Sequence, residues 1–310
     1  RRPLFPAGDA SPRPVAPDDP LARTHPAVQS AASLAGGRGA AGRRRDRRSG
    51  RDCACGEGIG RRAGGGAQEP QAAGAPAPRD DLVVLQHAPV YTLGTGSDAA
   101  EHLRFDPRAP PAPLFRTERG GEVTFHGPGQ LVLYPIVDLA ALGRADLHWY
   151  TWALEETVLR ALAALGLAGA GAGREPGAPG VWVGSDKVAA LGVRCKRWLT
   201  YHGLALNVVN DLEPFDAIVP CGLAGRGVCS VGQLVARAEG RGGGPEEVPG
   251  PGTPAGQELL ARTSEALLCA FAEVFELELD RSEGPRGLPE PSGAEELLPA
   301  AFPPVEAPSL

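Results

Sequence analysis

The chain runs to 310 residues, 42% of them apolar, with a formal net charge of −6 at neutral pH. That apolar share suffices for one sizeable core or two small ones, and the acidic balance argues against nucleic-acid binding despite the arginine cluster GRRRDRRSGR. No stretch approaches the roughly 18 continuous apolar residues of a membrane span, so a soluble protein with no membrane partner is expected.

Residues 1–79 are built from Arg, Gly, Ala and Pro without helical or strand periodicity. Such a segment cannot bury enough surface to offset its ordering entropy, and a disordered leader is expected. Its Arg-rich composition fits an organelle transit peptide, since a secretory signal needs an apolar stretch of about 7–15 residues. A plain disordered extension fits equally well. Six cysteines, at 53, 55, 195, 221, 229 and 269, form no C-x-x-C pair, which points to a reducing compartment rather than a disulfide scaffold. Cys53-x-Cys55 lacks a second ligand pair, and no metal site is expected.

Order begins near residue 80. DLVVLQHAPVYTLGTG reads as two short β-runs split by Ala88-Pro89. Strand-like runs at 114–118 and 131–137 then flank a glycine-dense centre. DLHWYTWALEETVLRALAALGL follows as an amphipathic helix with Asp146 as N-cap, its Trp152, Glu155, Glu156 and Arg160 interleaved with Leu154, Val158, Leu162 and Leu165. VWV, KVAALGV and WLTYHGLALNVV read as an antiparallel meander. VGQLVARAEG gives a short helix and 237–257 a long glycine-rich loop. QELLARTSEALLCAFAEVF then carries Leu259, Leu260, Leu267, Leu268, Phe271 and Phe275 on one face and leads into a last strand, ELELD. Residues 283–310, rich in Pro and Glu, read as a disordered tail. One domain over 80–282 remains, and strands without regular βα alternation plus two long helices predict an α+β fold around a mixed sheet.

Chemistry concentrates in few places. In RGGEVTFHGPGQ, residues 119–130, paired glycines let a backbone approach a ligand closely. Two ordinary turns around a hairpin would give the same glycines, but strand alternation puts Thr124 and His126 on one side. His126 and His202, each taken alone, fit a hydrogen-bonded core histidine as well as a catalytic one, and neither has the spaced partners of a metal ligand.

Lys187 and Cys221 form a sharper pair. Lys187 and Lys196 are the only lysines of the chain, and a lysine kept amid abundant arginine hints at an ammonium that must lose its proton. Lys187 follows a Gly-Ser-Asp turn at a strand start, and Cys221 ends an apolar strand at Pro-Cys-Gly. A neighbouring ammonium would raise the thiolate fraction of a cysteine whose free pKa is about 8.5, and the same lysine, once neutral, can serve as a general base. The bland alternative, a solvated turn lysine and a small buried thiol, stays open on residue types alone. Cys195, Cys229 and Cys269 read as structural. RGGGPEE lacks the Gly-Lys-Ser/Thr ending of a phosphate loop, so no ATP site and no cofactor are expected.

In HAPVYTLG (87–94), RGGEVTFHGPGQLVLYP (119–135), GVWVGSDKVAALGVRCKRWLTYHGLALNV (180–208) and DLEPFDAIVPCGL (211–223) the chain resembles the lipoyl(octanoyl) transferase family, also called lipoate-protein ligase B. TLGTGS and DLHWY look like its plastid and cyanobacterial branch. The resemblance implies the α+β catalytic fold of biotin and lipoate ligases and transfer of an octanoyl group from octanoyl-acyl carrier protein. The acceptors it implies are lysines on lipoyl domains of 2-oxoacid dehydrogenase E2 subunits and the glycine cleavage H protein. It makes Cys221 the acyl-thioester nucleophile and Lys187 the residue that lowers its pKa. Arg119, Gly120, Gly121, Glu122, Val123, Thr124, Phe125, His126, Ala190, Leu191, Gly192, Gly203, Leu204 and Ala205 would line the acyl site. It also gives the leader a reason, a chloroplast address, with a mitochondrial one as the alternative. An amidotransferase moving lipoyl or octanoyl groups between carrier proteins would use the same pair, and an acyl-carrier-binding module without catalysis is a reading of another class.

Overall fold

A computed structural model describes residues 30–35, 80–219 and 226–281. Cys221, Cys53, Cys55, the tail beyond residue 281 and the rest of the leader lie outside the described residues.

Eleven strands and four α-helices are described. In chain order they are β1 (Ser30–Ala35), β2 (Asp80–Leu85), β3 (Val90–Leu93), α1 (Ala99–His102), β4 (Leu114–Arg116), β5 (Val123–His126), β6 (Gln130–Ile136), α2 (Leu147–Ala164), β7 (Ala172–Arg174), β8 (Gly180–Val183), β9 (Asp186–Lys196), β10 (Leu199–Asn207), α3 (Val231–Ala238), α4 (Pro254–Phe275) and β11 (Glu278–Asp280). Eight strands form one sheet in the order β11-β1-β2-β6-β10-β9-β8-β7, and β4-β3-β5 form a second. The large sheet pairs antiparallel throughout. The mixed character expected from the sequence resides in the small sheet, where β3 runs parallel to β4 and antiparallel to β5.

One expectation is corrected here. Ser30–Ala35 falls in the leader read as disordered, yet it inserts between β2 and β11 as a strand of the large sheet. SAASLA lacks the bulky alternation that marks a strand by sequence, and its backbone groups pair with neighbours on both sides, so pairing rather than propensity places it.

Alternation along the large sheet divides its side chains between two environments. On β6, Leu131 and Leu133 join Leu82, Val84, Leu204 and Leu206 in a core closed by α2 and α4. Gln130, Val132 and Tyr134 line a cleft instead. The expected face of α4 is buried at Leu259, Leu260, Leu267, Leu268, Phe271 and Phe275, and Phe271 stacks on Phe275 with ring centroids 4.1 Å apart. The helix begins at Pro254, three residues before the expected Gln257, because the Thr253 hydroxyl accepts from the Gly256 N–H and Pro is pre-shaped for a first turn. Asp146 caps α2 as expected, accepting from His148 N at 2.8 Å and Trp149 N at 3.2 Å.

Two side chains depart from the helical pattern. Glu155, read as part of the polar face, is buried because its carboxylate accepts from Gly180 N at 2.9 Å and pairs with Arg174 Nε at 3.2 Å. The sequence predicts a structural thiol at Cys269, within an apolar stretch. It is exposed, with its Sγ 3.5 Å from Glu265 Oε1, since Leu267, Leu268 and Phe271 take the core side of that turn. The 237–257 loop is organised by Glu247, whose carboxylate accepts from three successive backbone N–H groups, Gly242 at 3.2 Å, Gly244 at 3.3 Å and Gly243 between them. Among the described residues no helix is long and apolar enough to cross a membrane, and no cluster of three or more His, Cys, Asp or Glu is disposed to hold a metal.

Candidate active site

The small sheet and the cleft side of the large sheet enclose about 730 Å³, part of it open to solvent. Of the residues singled out in the sequence, Lys187, Arg119, Gly121, Glu122, Val123, Thr124, His126, Ala190, Leu191, Gly192, Gly203, Leu204 and Ala205 line this cleft. Gly120 and Phe125 do not. Gly120 N donates to Val193 O at 2.9 Å and ties the segment before β5 to the large sheet. Alternation turns Phe125 away into a second core, with its ring 5.1 Å from Tyr91 and 5.9 Å from Phe215. Arg119 is a clamp: its guanidinium donates to Thr92 O at 2.7 Å, Thr92 Oγ1 at 2.9 Å and Gly120 O at 3.1 Å.

Lys187 reaches the cleft through an irregularity of the expected meander. Val181 pairs with Ala189 but Trp182 with Lys187, which leaves Val188 as an extra residue. This β-bulge lets Val188 and Ala189 both enter the helix-side core while Lys187 turns to the cleft. The side chain is only 5% exposed. Its Nζ donates to Pro179 O at 3.1 Å and stands 4.5 Å from the centroid of the Trp182 ring. Gly180 makes room for the stem: its φ is +138°, and a Cβ there would fall 3.1 Å from Lys187 Cε and 2.7 Å from Ala189 O.

The same lysine anchors one flank of the segment that carries Cys221. Lys187 N donates to Gly227 O at 3.0 Å, and Cys229 N donates to Lys187 O at 3.1 Å. The other flank is held by α1, where Val219 N donates to His102 O at 2.9 Å and Leu103 bridges Ile218. Val219 thus lies beside α1, and Gly227–Cys229 run alongside Lys187. Cys229 itself is buried, and burial, then the Asp186 carboxylate, push its thiol up to about 12, which disfavours the thiolate.

Sequence reasoning missed the polar floor of the cleft. His126 Nδ1 is 2.7 Å from Gln130 Oε1, Gln130 Nε2 donates to Asn207 Oδ1 at 2.9 Å and to Phe125 O at 3.2 Å, and Asn207 Nδ2 donates to Cys229 O at 3.1 Å. Beside it, His87 Nε2 meets the Tyr134 hydroxyl at 2.8 Å. Gln130 ended the glycine-rich block and Asn207 an apolar strand, and only a three-dimensional partner distinguishes such residues from turn or edge positions. Burial pushes the His126 imidazole down to about 3, the neighbouring His87 and Arg119 adding to a shift that Gln130 opposes.

This shift makes stability depend on pH. The unfolded histidine takes a proton near its ordinary value and the folded one does not, so His126 stabilises the fold fully above about 6.5 and loses that contribution as pH falls toward 3. The expected slope is about 1.4 kcal/mol per pH unit below 6.5. Urea-unfolding midpoints at pH 7.5 and 5.5 test it: the wild type should lose stability more steeply than His126→Gln. Equal slopes in the two proteins would refute the buried neutral imidazole.

Comparison with known proteins bears on this cleft. A family model described as the lipoyl protein ligase A/B catalytic domain matches residues 71–239. A chloroplastic octanoyltransferase of Arabidopsis thaliana, LIP2p2, is 48% identical over 202 residues, which is 65% of this chain and 67% of that protein. An octanoyltransferase of Synechococcus sp. (strain WH7803) is 57% identical over 151 residues, covering 49% of this chain and 59% of its own length. A solved lipoate-protein ligase A bound with ATP superposes on 63% of this chain and 72% of its own, at 17% identity and a TM-score of 0.44.

Proposed function

Because the chain belongs to the lipoyl protein ligase A/B catalytic-domain family, we propose that it is an octanoyltransferase that works through a thioester on Cys221. The donor is octanoyl-acyl carrier protein, and the acceptor is a lysine of a lipoyl domain, in E2 subunits of 2-oxoacid dehydrogenases or in the glycine cleavage H protein. The observation that carries this reading is Lys187, buried at the cleft and bonded through its own backbone to Gly227 and Cys229, a few residues after Cys221 in the chain.

In the first half-reaction the Cys221 thiolate attacks the acyl carbonyl of the donor thioester. The bond to the carrier's sulfur breaks, its thiolate leaves and takes a proton from the Lys187 ammonium, which becomes neutral, and the octanoyl group remains on Cys221. The Lys187 ammonium raises the thiolate fraction for this step. In the second half-reaction the acceptor amine attacks the new thioester, Lys187 in its neutral form takes the surplus proton, and the Cys221 thiolate leaves as the amide forms. A thioester is already activated and its conversion to an amide runs downhill, so the reaction requires no ATP. Val132, Ala190 and Ala205, paired across β6, β9 and β10, give the cleft an apolar wall suited to a saturated chain. Kinship with a chloroplastic relative supports a plastid location.

Incubation with octanoyl-carrier protein tests the proposal. The expected result is an octanoyl adduct on the intact protein, cleaved by hydroxylamine and absent in Cys221→Ser. A wild type without adduct, or an equal adduct on the serine variant, defeats it.

A further inference from the structure

The hydrogen bonds behind His126 fix which of its nitrogens faces the ligand. Asn207 Nδ2 donates to the Cys229 carbonyl at 3.1 Å, which leaves Asn207 Oδ1 as the acceptor toward Gln130 at 2.9 Å. Gln130 Nε2 donates there and to the Phe125 carbonyl at 3.2 Å, so Gln130 Oε1 must be the atom turned to His126. An amide oxygen only accepts, so the 2.7 Å contact requires a proton on Nδ1. A neutral ring protonated at Nδ1 carries a bare lone pair at Nε2. The ring is buried and lines the cleft, and Nε2 makes no hydrogen bond among the described residues. The origin of the lock is a backbone carbonyl, Cys229 O, whose own N–H is bonded to Lys187 O at 3.1 Å.

The other polar groups at the cleft are differently engaged. Arg119 can only donate, Lys187 donates to Pro179 O at 3.1 Å and is the base of the second half-reaction, Tyr134 is bonded to His87, and Glu122 stands against His102 Nε2 at 3.3 Å. Thr124 and His202 also line the cleft, but no hydrogen bond among the described residues fixes the role of either side chain. The cleft therefore presents an acceptor whose role the relay fixes, beside the lysine that takes the surplus proton. Of the species taking part in the transfer, the acceptor amine is the one that must bring N–H groups to the acyl carbon while keeping its own lone pair free. An N–H held by a fixed acceptor leaves that lone pair directed elsewhere.

We propose that His126 Nε2, held bare by the Gln130–Asn207–Cys229 relay, receives an N–H of the incoming lysine amine and orients it for attack on the acyl-enzyme. This rests on the acyl-enzyme reading above. His126 does not take the proton. It is an acceptor only, and the surplus proton goes to Lys187. The relay also makes Gln130 a positioning residue, acting through the tautomer of His126.

Two measurements on the full chain test the assignment. With ¹⁵N-histidine labelling, the wild-type His126 ring should be a neutral tautomer protonated at Nδ1 and should not titrate between pH 8 and 5. An Nε2-protonated tautomer, or titration near the ordinary histidine value, overturns the proposal without any variant. Rapid-quench intact-mass kinetics then separate loading by octanoyl-carrier protein from unloading by added lipoyl domain. In His126→Phe, unloading should slow at least tenfold more than loading, so that acyl-enzyme accumulates, and Gln130→Leu should show the same split to a smaller degree. Loading that falls as far as unloading refutes the amine assignment and points instead to the thiol or the donor as the partner of His126. A wild type that never loads sinks the acyl-enzyme reading itself, an outcome distinct from a wild type that loads and a variant that unloads normally.

Discussion

Lys187→Arg is expected to stop transfer to the lipoyl domain, by roughly 10²–10⁴-fold, while the fold survives. Arginine keeps a cation near the Cys221 segment, so the thiolate should still form and the first octanoyl group should still load. It cannot give up that charge at any accessible pH, and so it cannot accept the proton that the acceptor amine must lose. The variant should therefore accumulate acyl-enzyme. Lys187→Ala loses the cation as well and should load poorly too. The two variants separate the lysine's two duties: intact-mass traces report loading, and a gel shift of the lipoyl domain reports unloading. Full turnover by Lys187→Arg would remove the lysine from proton transfer. Unchanged circular dichroism and melting temperature are needed for this reading, because the side chain is packed between the Trp182 ring, at 4.5 Å, and the Pro179 carbonyl, at 3.1 Å.

The contact of Lys187 with Trp182 depends on a register shift that the sequence does not mark. The residue types Lys187 and Trp182 and the meander that pairs them could be read directly, since VWV and KVAALGV have the composition and spacing of adjacent strands. Their orientation could not, because one extra residue at Val188 decides which side of the sheet Lys187 faces, and periodicity carries no mark of a bulge. The helices were more legible. Asp146 and the apolar face of α4 follow from capping chemistry and a 3.6-residue period, both local rules. Glu155 and the Gln130–Asn207 pair were opaque for the opposite reason: a buried polar residue looks like a surface one until its partner, here Gly180 N or Cys229 O, is brought to it from far along the chain. Ser30–Ala35 belongs with them, as a strand specified by its neighbours rather than by its own composition.

The glycines read in the sequence as room for an acyl chain divide into different kinds, and Gly203 is the one whose substitution should cost most. His202 takes a left-handed φ of 59°, which turns the backbone just where β10 meets β6. A Cβ on Gly203 would then lie 2.2 Å from Leu133 O and 2.7 Å from Pro135 Cδ. Both obstacles belong to the neighbouring strand and neither is the end of a flexible side chain, so Ala can be admitted only by prying β10 from β6. The pairing from Leu204↔Leu133 to Asn207↔Gln130 follows immediately, and it holds both the core leucines and the relay to His126. The expected cost of Gly203→Ala is about 3 kcal/mol or more, a large part of the roughly 5–15 kcal/mol that stabilises a domain. Gly173→Ala is the control, since a Cβ there meets nothing within 4 Å. Urea-unfolding midpoints without substrate should fall sharply for Gly203→Ala and hardly move for Gly173→Ala. A Gly203→Ala protein of wild-type stability that merely binds octanoyl donor poorly would return this glycine to the role of ligand space and take it out of the sheet's own packing.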